Sequence, residues 1–462
     1  MDAEPTPPAT PTPGTTPGAP ARTVDRDILR LAVPALGALI AEPLFLLADT
    51  AMVGHLGATP LAGLGIASAV LQTIIGLMVF LAYATTPMVA RRLGAGDERA
   101  AVSAGVDGLW LAAGLGAILA VLGWFATPWL VGVFGASGDI SAAASAYLSI
   151  SMLGLPAMLL VFAATGLLRG LQDTTTPLWV AGIGFAVNIG LNFVFIYGVG
   201  LGIAGSAVGT VIAQWGMVAV YVVVVARHAV RVGANPWPHR EGLLRGAASG
   251  GWLFLRTASL RAALLLATWA ATSLGPDELA AYQVAITIYF TLGFALDALA
   301  IAAQALIGKG LGEGDVEQVR AVLRRCVQWG VWSGVGLGAL VAATAWVLPA
   351  VFTSSADVAA LLPPSLVVLG LSAPLGGLVF VLDGVLIGAG DARYLAWTGL
   401  VNLAVFVPLA LGTVWASDAA GLPNATSLAL LTAAFAIGYL AARAVTLSLR
   451  ARGAAWMVTG AV

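Results

Sequence analysis

The chain has 462 residues, enough for about three soluble domains at roughly 150 residues each. Its composition excludes that organisation: 60% of the residues are hydrophobic and 9% charged, where soluble domains carry about 45–50% and about 25%. A formal net charge of -1 gives no electrostatic reason for nucleic-acid binding, and the single Cys326 excludes an internal disulfide framework and a Cys-rich metal site.

Residues 1–21 are rich in Pro, Thr, Ala and Gly, bury no core, lack the apolar region of a signal peptide, and read as a disordered tail that we extend to residue 27. Apolar stretches then recur at about 31–54, 61–90, 101–123, 147–168, 177–199 and 203–226. A second series follows at 250–274, 279–308, 326–349, 362–388, 394–416 and 423–448. In lipid a continuous apolar stretch satisfies its own backbone as a helix. The expected fold is therefore an all-α integral membrane protein with twelve transmembrane helices. The expected layout is a first lobe at 28–227, a cytoplasmic linker at 228–249, a second lobe at 250–449 and a cytoplasmic tail at 450–462.

Basic residues test that count. All Lys and Arg except Arg256 and Arg261 fall in the tails or in alternate connections, with Arg91, Arg92, Arg169, Lys309, Arg393 and Arg443 among them. An invented or missing span would scramble this alternation. By the positive-inside rule, both termini are expected in the cytoplasm of a multi-pass protein of the cell (plasma or inner) membrane.

The chain also repeats itself at an offset of 218 residues. Leu93-Gly94-Ala95-Gly96-Asp97 returns as Leu311-Gly312-Glu313-Gly314-Asp315, and Pro156 as Pro374. Gly166, Gly170 and Asp173 return as Gly384, Gly388 and Asp391, and Trp179 as Trp397. Each copy holds an even number of spans, so the two six-helix lobes are parallel repeats. Secondary transporters commonly place substrate between such halves.

No phosphate-binding GxxxxGK[ST] stretch is present, and His55, His228 and His239 are read as loop residues, so neither ATP hydrolysis nor an intramembrane enzyme is expected. No cofactor is expected beyond a coupling ion. The informative residues are charges within spans, which cost about 2.5–3.5 kcal/mol at mid-span on insertion scales and so tend to face cavities or partners.

In span 1, Glu42 and Asp49 are two helical turns apart and share a face. Two carboxylates without a counter-charge make this face the candidate cation-coupling site, for H⁺ or for Na⁺ at Asp49. The alternative is a structural role, with Glu42 supporting a kink at Pro43. Asn188 and Asn192, at i and i+4 in span 5, are expected beside Asp49, with Thr210 of span 6 a candidate neighbour.

The second half carries Arg261, Arg256, Asp297 and Asp383. Arg261 is expected to pair with Asp297 or Asp383 at similar depth, with Arg256 another possible neighbour, as a structural lock or a transport element. Gln283, Tyr289 and Gln304 are candidate substrate-wall residues. The aromatic cluster around Tyr289, with Tyr282, Phe290 and Phe294, is more often packing than a ligand surface.

The segments Glu42-Pro43, Leu47 to Gly57, Leu168 to Asp173, Gly202 to Ala207 and Leu296 to Leu306 resemble the multidrug and toxic compound extrusion family, specifically its DinF-like branch. The resemblance spans about 28–450 and implies alternating access between two lobes. It further implies efflux of organic cations and amphipathic drugs by H⁺ or Na⁺ antiport; separately, a monomer with no nucleic-acid partner is expected. Asp49 would be the central coupling acid, with Asn188, Asn192 and Thr210 around it. Relatives of this branch often have Asp where this chain has Asn192, which shifts any second acidic role toward Glu42. The competing expectation is a flippase for a lipid-linked or amphipathic cargo of the same broad superfamily.

Overall fold

The computed structural model describes residues 21–460, and those residues are helical almost throughout. Residues 1–20 of the expected tail lie outside the described residues, and 21–27, counted with the tail above, already belong to the first helix. In chain order the first six spans are α1 (Ala21–Gly54), α2 (Ala58–Gly94), α3 (Glu98–Val133), α4 (Gly138–Met152 with Leu155–Gly170), α5 (Thr175–Gly198) and α6 (Ile203–Val232). The second six are α7 (Arg240–Leu274), α8 (Pro276–Glu313), α9 (Val316–Ala343), α10 (Ala356–Gly388), α11 (Ala392–Ala420) and α12 (Asn424–Arg452). Among the described residues, eleven helices are long and apolar enough to cross a membrane. The bent pair of α4, with its 47° break, makes a twelfth crossing.

Each apolar stretch in the sequence thus has a helix, but the connections are shorter than expected. The linker between lobes is 233–239 rather than 228–249, because α6 runs to Val232 and α7 starts at Arg240. His228 is accordingly a helical residue rather than a loop one.

The repeat is structural as well as sequential. Asp97 caps α3 by accepting from the Ala100 amide at 2.7 Å, and Asp315 caps α9 from Gln318 at 2.8 Å. A side-chain oxygen at this position satisfies an N–H that the helix itself leaves free. Within each lobe, Gly166 and Gly170 of α4 sit on the backbone of Ala82 and Thr86, and Gly384 and Gly388 of α10 sit on Ala300 and Gln304 at the same offset. Small residues let membrane helices approach to backbone contact where no hydrophobic force joins them.

The lobes meet where α2 crosses α8, at the end of the bundle that carries most of the Arg and Lys residues. There a Cβ on Gly94 would collide with the Lys309 carbonyl, and one on Gly312 with the Arg91 carbonyl. The two contacts exchange under the 218-residue offset, so they straddle the local two-fold relation between lobes. Gln172 of the first lobe donates to the Ala305 carbonyl at 3.0 Å, and Gln304 of the second donates to the Tyr83 carbonyl at 3.0 Å. The basic end is therefore closed.

The segment after α12 adds to that closure, in contrast to the free tail expected at 450–462. Trp456 is buried, Arg91 donates to the Val458 carbonyl, and the Gly460 amide donates to Leu311 at 2.9 Å. The sequence pattern missed this because one Trp in a short segment rich in Gly and Ala gives no periodic signal.

Gly312→Val is expected to prevent the lobes from seating at the basic end. Overpacking of this kind costs about 1–3 kcal/mol, read as a lower thermal midpoint in detergent. Spin labels placed across that end should show a longer, broader distance distribution than wild type; an unchanged distribution would contradict the contact.

Candidate cation and cargo site

Asp49 lies in the last two turns of α1, five residues before its end at Gly54, and is 3% exposed. Its Oδ1 accepts from Asn192 Nδ2 at 3.0 Å and from the Ser206 hydroxyl, and its Oδ2 accepts from the Tyr147 hydroxyl at 3.3 Å. Asn192 Nδ2 also reaches Asn188 Oδ1 at 3.1 Å, and Asn188 Nδ2 donates to Thr210 Oγ1 at 3.0 Å. Asp49, Asn192, Asn188 and Thr210, all singled out above, form one continuous polar chain. Among the described residues, no Lys, Arg or His pairs with Asp49.

Tyr147 of α4 and Ser206 of α6 complete the cradle, and both were missed as site residues. Ser206 carried a usable signal, since it precedes Thr210 by four residues and shares its face. Tyr147 carried none, because only the fold decides that α4 comes against α1. The side chain of Glu42 lies outside the described residues, so its expected role beside Asp49 is untouched.

Two local devices bring these helices together. Gly205 and Gly209 of α6 approach the backbone of Phe195 and the side chain of Asn192, a small-xxx-small contact between α5 and α6. At its end α5 widens into a π-helical turn, Val194–Gly198, from which Tyr197 donates to the Met52 carbonyl at 2.6 Å. That bond ties α5 to α1 one turn beyond Asp49.

Beside the polar chain lies a cavity of about 190 Å³. Tyr147, Asn188 and Thr210 form part of its wall, so the Asp49 network reaches it through its own partners. Phe45 and Phe185, stacked with centroids 5.3 Å apart, supply an aromatic side, and Gln72 and Arg261 add polar groups. A second cavity, about 320 Å³ and almost wholly apolar, lies between α3, α4 and α6 beside Trp110.

The second lobe has no such polar chain at the equivalent positions. At the 218-residue offset, Asp49 becomes Ala267, Asn188 becomes Phe406 and Asn192 becomes Ala410, all fully buried. Phe406 packs edge-on against Phe435 and Tyr439, and Tyr289 joins the same cluster through Phe435. Tyr289 therefore packs in the aromatic cluster of the lobe, and it borders neither of the two cavities described above. Gln304 is buried and bonded to the α2 backbone, and Gln283 is exposed; neither borders the two cavities.

The charged residues of the second lobe pair differently from expectation. Asp383 of α10 is held by Arg256 of α7 and by Arg443 of α12, and all three are buried. Arg443 had been grouped with the terminal basic residues, but it lies inside α12 at 5% exposure. Asp297 of α8 sits beside Tyr83, Arg169 and Arg256, which places a second-lobe carboxylate against two first-lobe groups near the closed end. Arg261 pairs with neither acid. Its guanidinium lies over Gly76 of α2 and lines the 190 Å³ cavity. Distance along the helix from its start sets depth alone; which side of α7 faces α10 was settled by packing.

The MatE family model matches this chain over residues 34–194 and 257–411, more than half its length and nearly symmetric about the two lobes. The chain is 32% identical to Protein DETOXIFICATION 44, chloroplastic, of Arabidopsis thaliana, covering 82% of this chain and 74% of that protein. It is 27% identical to DNA damage-inducible protein F of Escherichia coli, covering 85% and 86%. The solved structure of a MOP superfamily transporter from Pyrococcus furiosus shares the fold with a TM-score of 0.85 at 23% identity, over 96% of this chain and 99% of the other. With two six-helix lobes, a buried carboxylate in α1 and those matches, the chain belongs to the MatE family: it is a multi-pass membrane protein of the multidrug efflux transporters, and not an enzyme.

Proposed function

We propose that the protein exports small amphipathic organic molecules in exchange for a cation, with H⁺ as the coupling ion and Asp49 as its carrier. The observation that carries this reading is the Asp49 cradle: a carboxylate 3% exposed, three donors around it, and a cavity of about 190 Å³ that borders one of those donors, Tyr147, and the next members of the polar chain, Asn188 and Thr210. An ionised carboxylate is an acceptor only, and a protonated one gains an O–H donor. Proton binding therefore adds a donor to the cradle, and that donor needs an acceptor. Asn192 Oδ1 is a buried acceptor with no partner in the present arrangement. A protonated Asp49 can donate to it once the amide reorients. That rearrangement passes along Asn188 to Thr210, which line the cavity.

For such a switch to drive transport, the two conformations must bind the proton with different affinity. The closed α2–α8 crossing makes the cavity accessible, on this reading, from the end opposite the basic one, which the positive-inside rule assigns to the outside. Proton binding to Asp49 in that state would favour reopening of the basic end toward the cytoplasm.

The test is transport of a fluorescent organic probe into or out of proteoliposomes under separately imposed pH and Na⁺ gradients. A pH gradient alone is expected to drive accumulation. Accumulation driven by Na⁺ alone would replace the proton with Na⁺, and none under either gradient would remove the antiport reading.

A further inference from the structure

We propose that the cavity beside Asp49 recognises an anionic group on the cargo, with Arg261 as the subsite that binds it. This deepens the efflux reading and rests on it: the exported molecules would be amphiphiles carrying a carboxylate or sulfonate, rather than purely cationic compounds.

The argument starts from the charge the cavity displays. Asp49 does not border it; its oxygens are turned toward Ser206, Asn192 and Tyr147, and it is 3% exposed. Arg261 does border it, and among the described residues it has no ion pair or hydrogen bond. The two other mid-bundle arginines of its lobe, Arg256 and Arg443, are both engaged by Asp383. A charge kept within a span tends to face a partner or a ligand, because leaving it unpaired in low dielectric is costly. Among the described residues Arg261 is thus the one charged side chain lining this cavity, and its ligand would carry the opposite sign.

The surroundings fit such a ligand. Gly76 is the reason the guanidinium can lie where it does, since a Cβ there would collide with it. Ser68, Gln72 and Gly76 follow one another at intervals of four along α2 and line the same cavity, adding hydroxyl and amide donors next to the guanidinium. The planar guanidinium presents paired N–H groups that match a carboxylate. The stacked Phe45–Phe185 pair offers a flat apolar surface for the remainder of the molecule. Arg261 also belongs to the second lobe while Gly76 and the Asp49 network belong to the first. An anion bound at Arg261 would contact both lobes, so its affinity would change as they separate.

The experiment compares 1-naphthoate with 1-naphthylmethylammonium, equal in ring and opposite in charge, by equilibrium fluorescence titration of the protein in phosphatidylcholine nanodiscs. Wild type is expected to bind the carboxylate about tenfold or more tightly than the ammonium, the value of one charge-assisted contact. Arg261→Gln should remove that preference, and Arg261→Lys should keep part of it. Gly76→Ala, which crowds the guanidinium without removing its charge, should weaken the carboxylate selectively and serves if Arg261→Gln fails to fold. Equal binding of the two probes by wild type, a preference for the ammonium, or an Arg261→Gln affinity for naphthoate equal to wild type would overturn the proposal. Vesicle transport separates the two readings. If Asp49→Asn vesicles accumulate naphthoate as wild type does, the coupling role of Asp49 falls while Arg261-dependent binding stands. If gradient-driven transport depends on Asp49 but binding ignores Arg261, the subsite falls alone.

Discussion

Asp49→Asn is expected to yield a folded protein whose gradient-driven export falls to the level of empty vesicles. The amide has the shape of the carboxyl, accepts at one atom and donates at the other, and cannot exchange a proton. It resembles the protonated acid held permanently. Folding should survive, because a buried neutral amide with Asn192, Ser206 and Tyr147 around it is at least as well satisfied as the carboxylate. Downhill exchange of labelled for unlabelled cargo should persist, since that process needs lobe movement but no net proton transfer. Gradient-driven rates equal to wild type would sink the assignment. Loss of both folding yield and exchange would make Asp49 a structural residue.

Asp383→Asn should produce the largest loss of stability among single polar substitutions in the second lobe. Asp383 is the carboxylate in contact with both Arg256 and Arg443, which reach it from α7 and α12 in a buried site. Removing the shared anion leaves two like charges together in low dielectric, and breaking a buried pair in this way costs about 3–5 kcal/mol. Arg443→Gln should cost less, because Arg256 still holds the carboxylate with two contacts. The measurement is the thermal midpoint in detergent, with the order wild type, Arg443→Gln, Asp383→Asn from high to low. Equal midpoints for the two variants would show that the cluster is not one unit.

The apolar periodicity, the alternation of basic residues and the 218-residue repeat are properties of the chain read locally or against itself, and the helices and two-lobed plan follow from them. Asn188, Asn192 and Thr210 were found beside Asp49 because the first two share one helix face and a buried polar residue in lipid seeks others of its kind. Ser206 needed only the further step of noticing its spacing from Thr210.

Contacts between spans far apart in sequence were of another sort. Each residue along a helix turns the side chain by about 100°, so depth in the membrane says nothing about which neighbour it meets. Arg256 and Arg261 differ in depth by little more than one turn, yet one is locked to Asp383 and the other lies across Gly76 in the cavity. Arg443 counted as a terminal charge although the expected last span to 448 already held it, and only packing showed that it reaches Asp383; Trp456 closed the basic end with no pattern to announce it. Hydrocarbon solvent dictates that these segments be helices and how many there are. Rotation of one helix against another, set by where glycine permits backbone contact, decides which charge finds a partner and which is left for cargo.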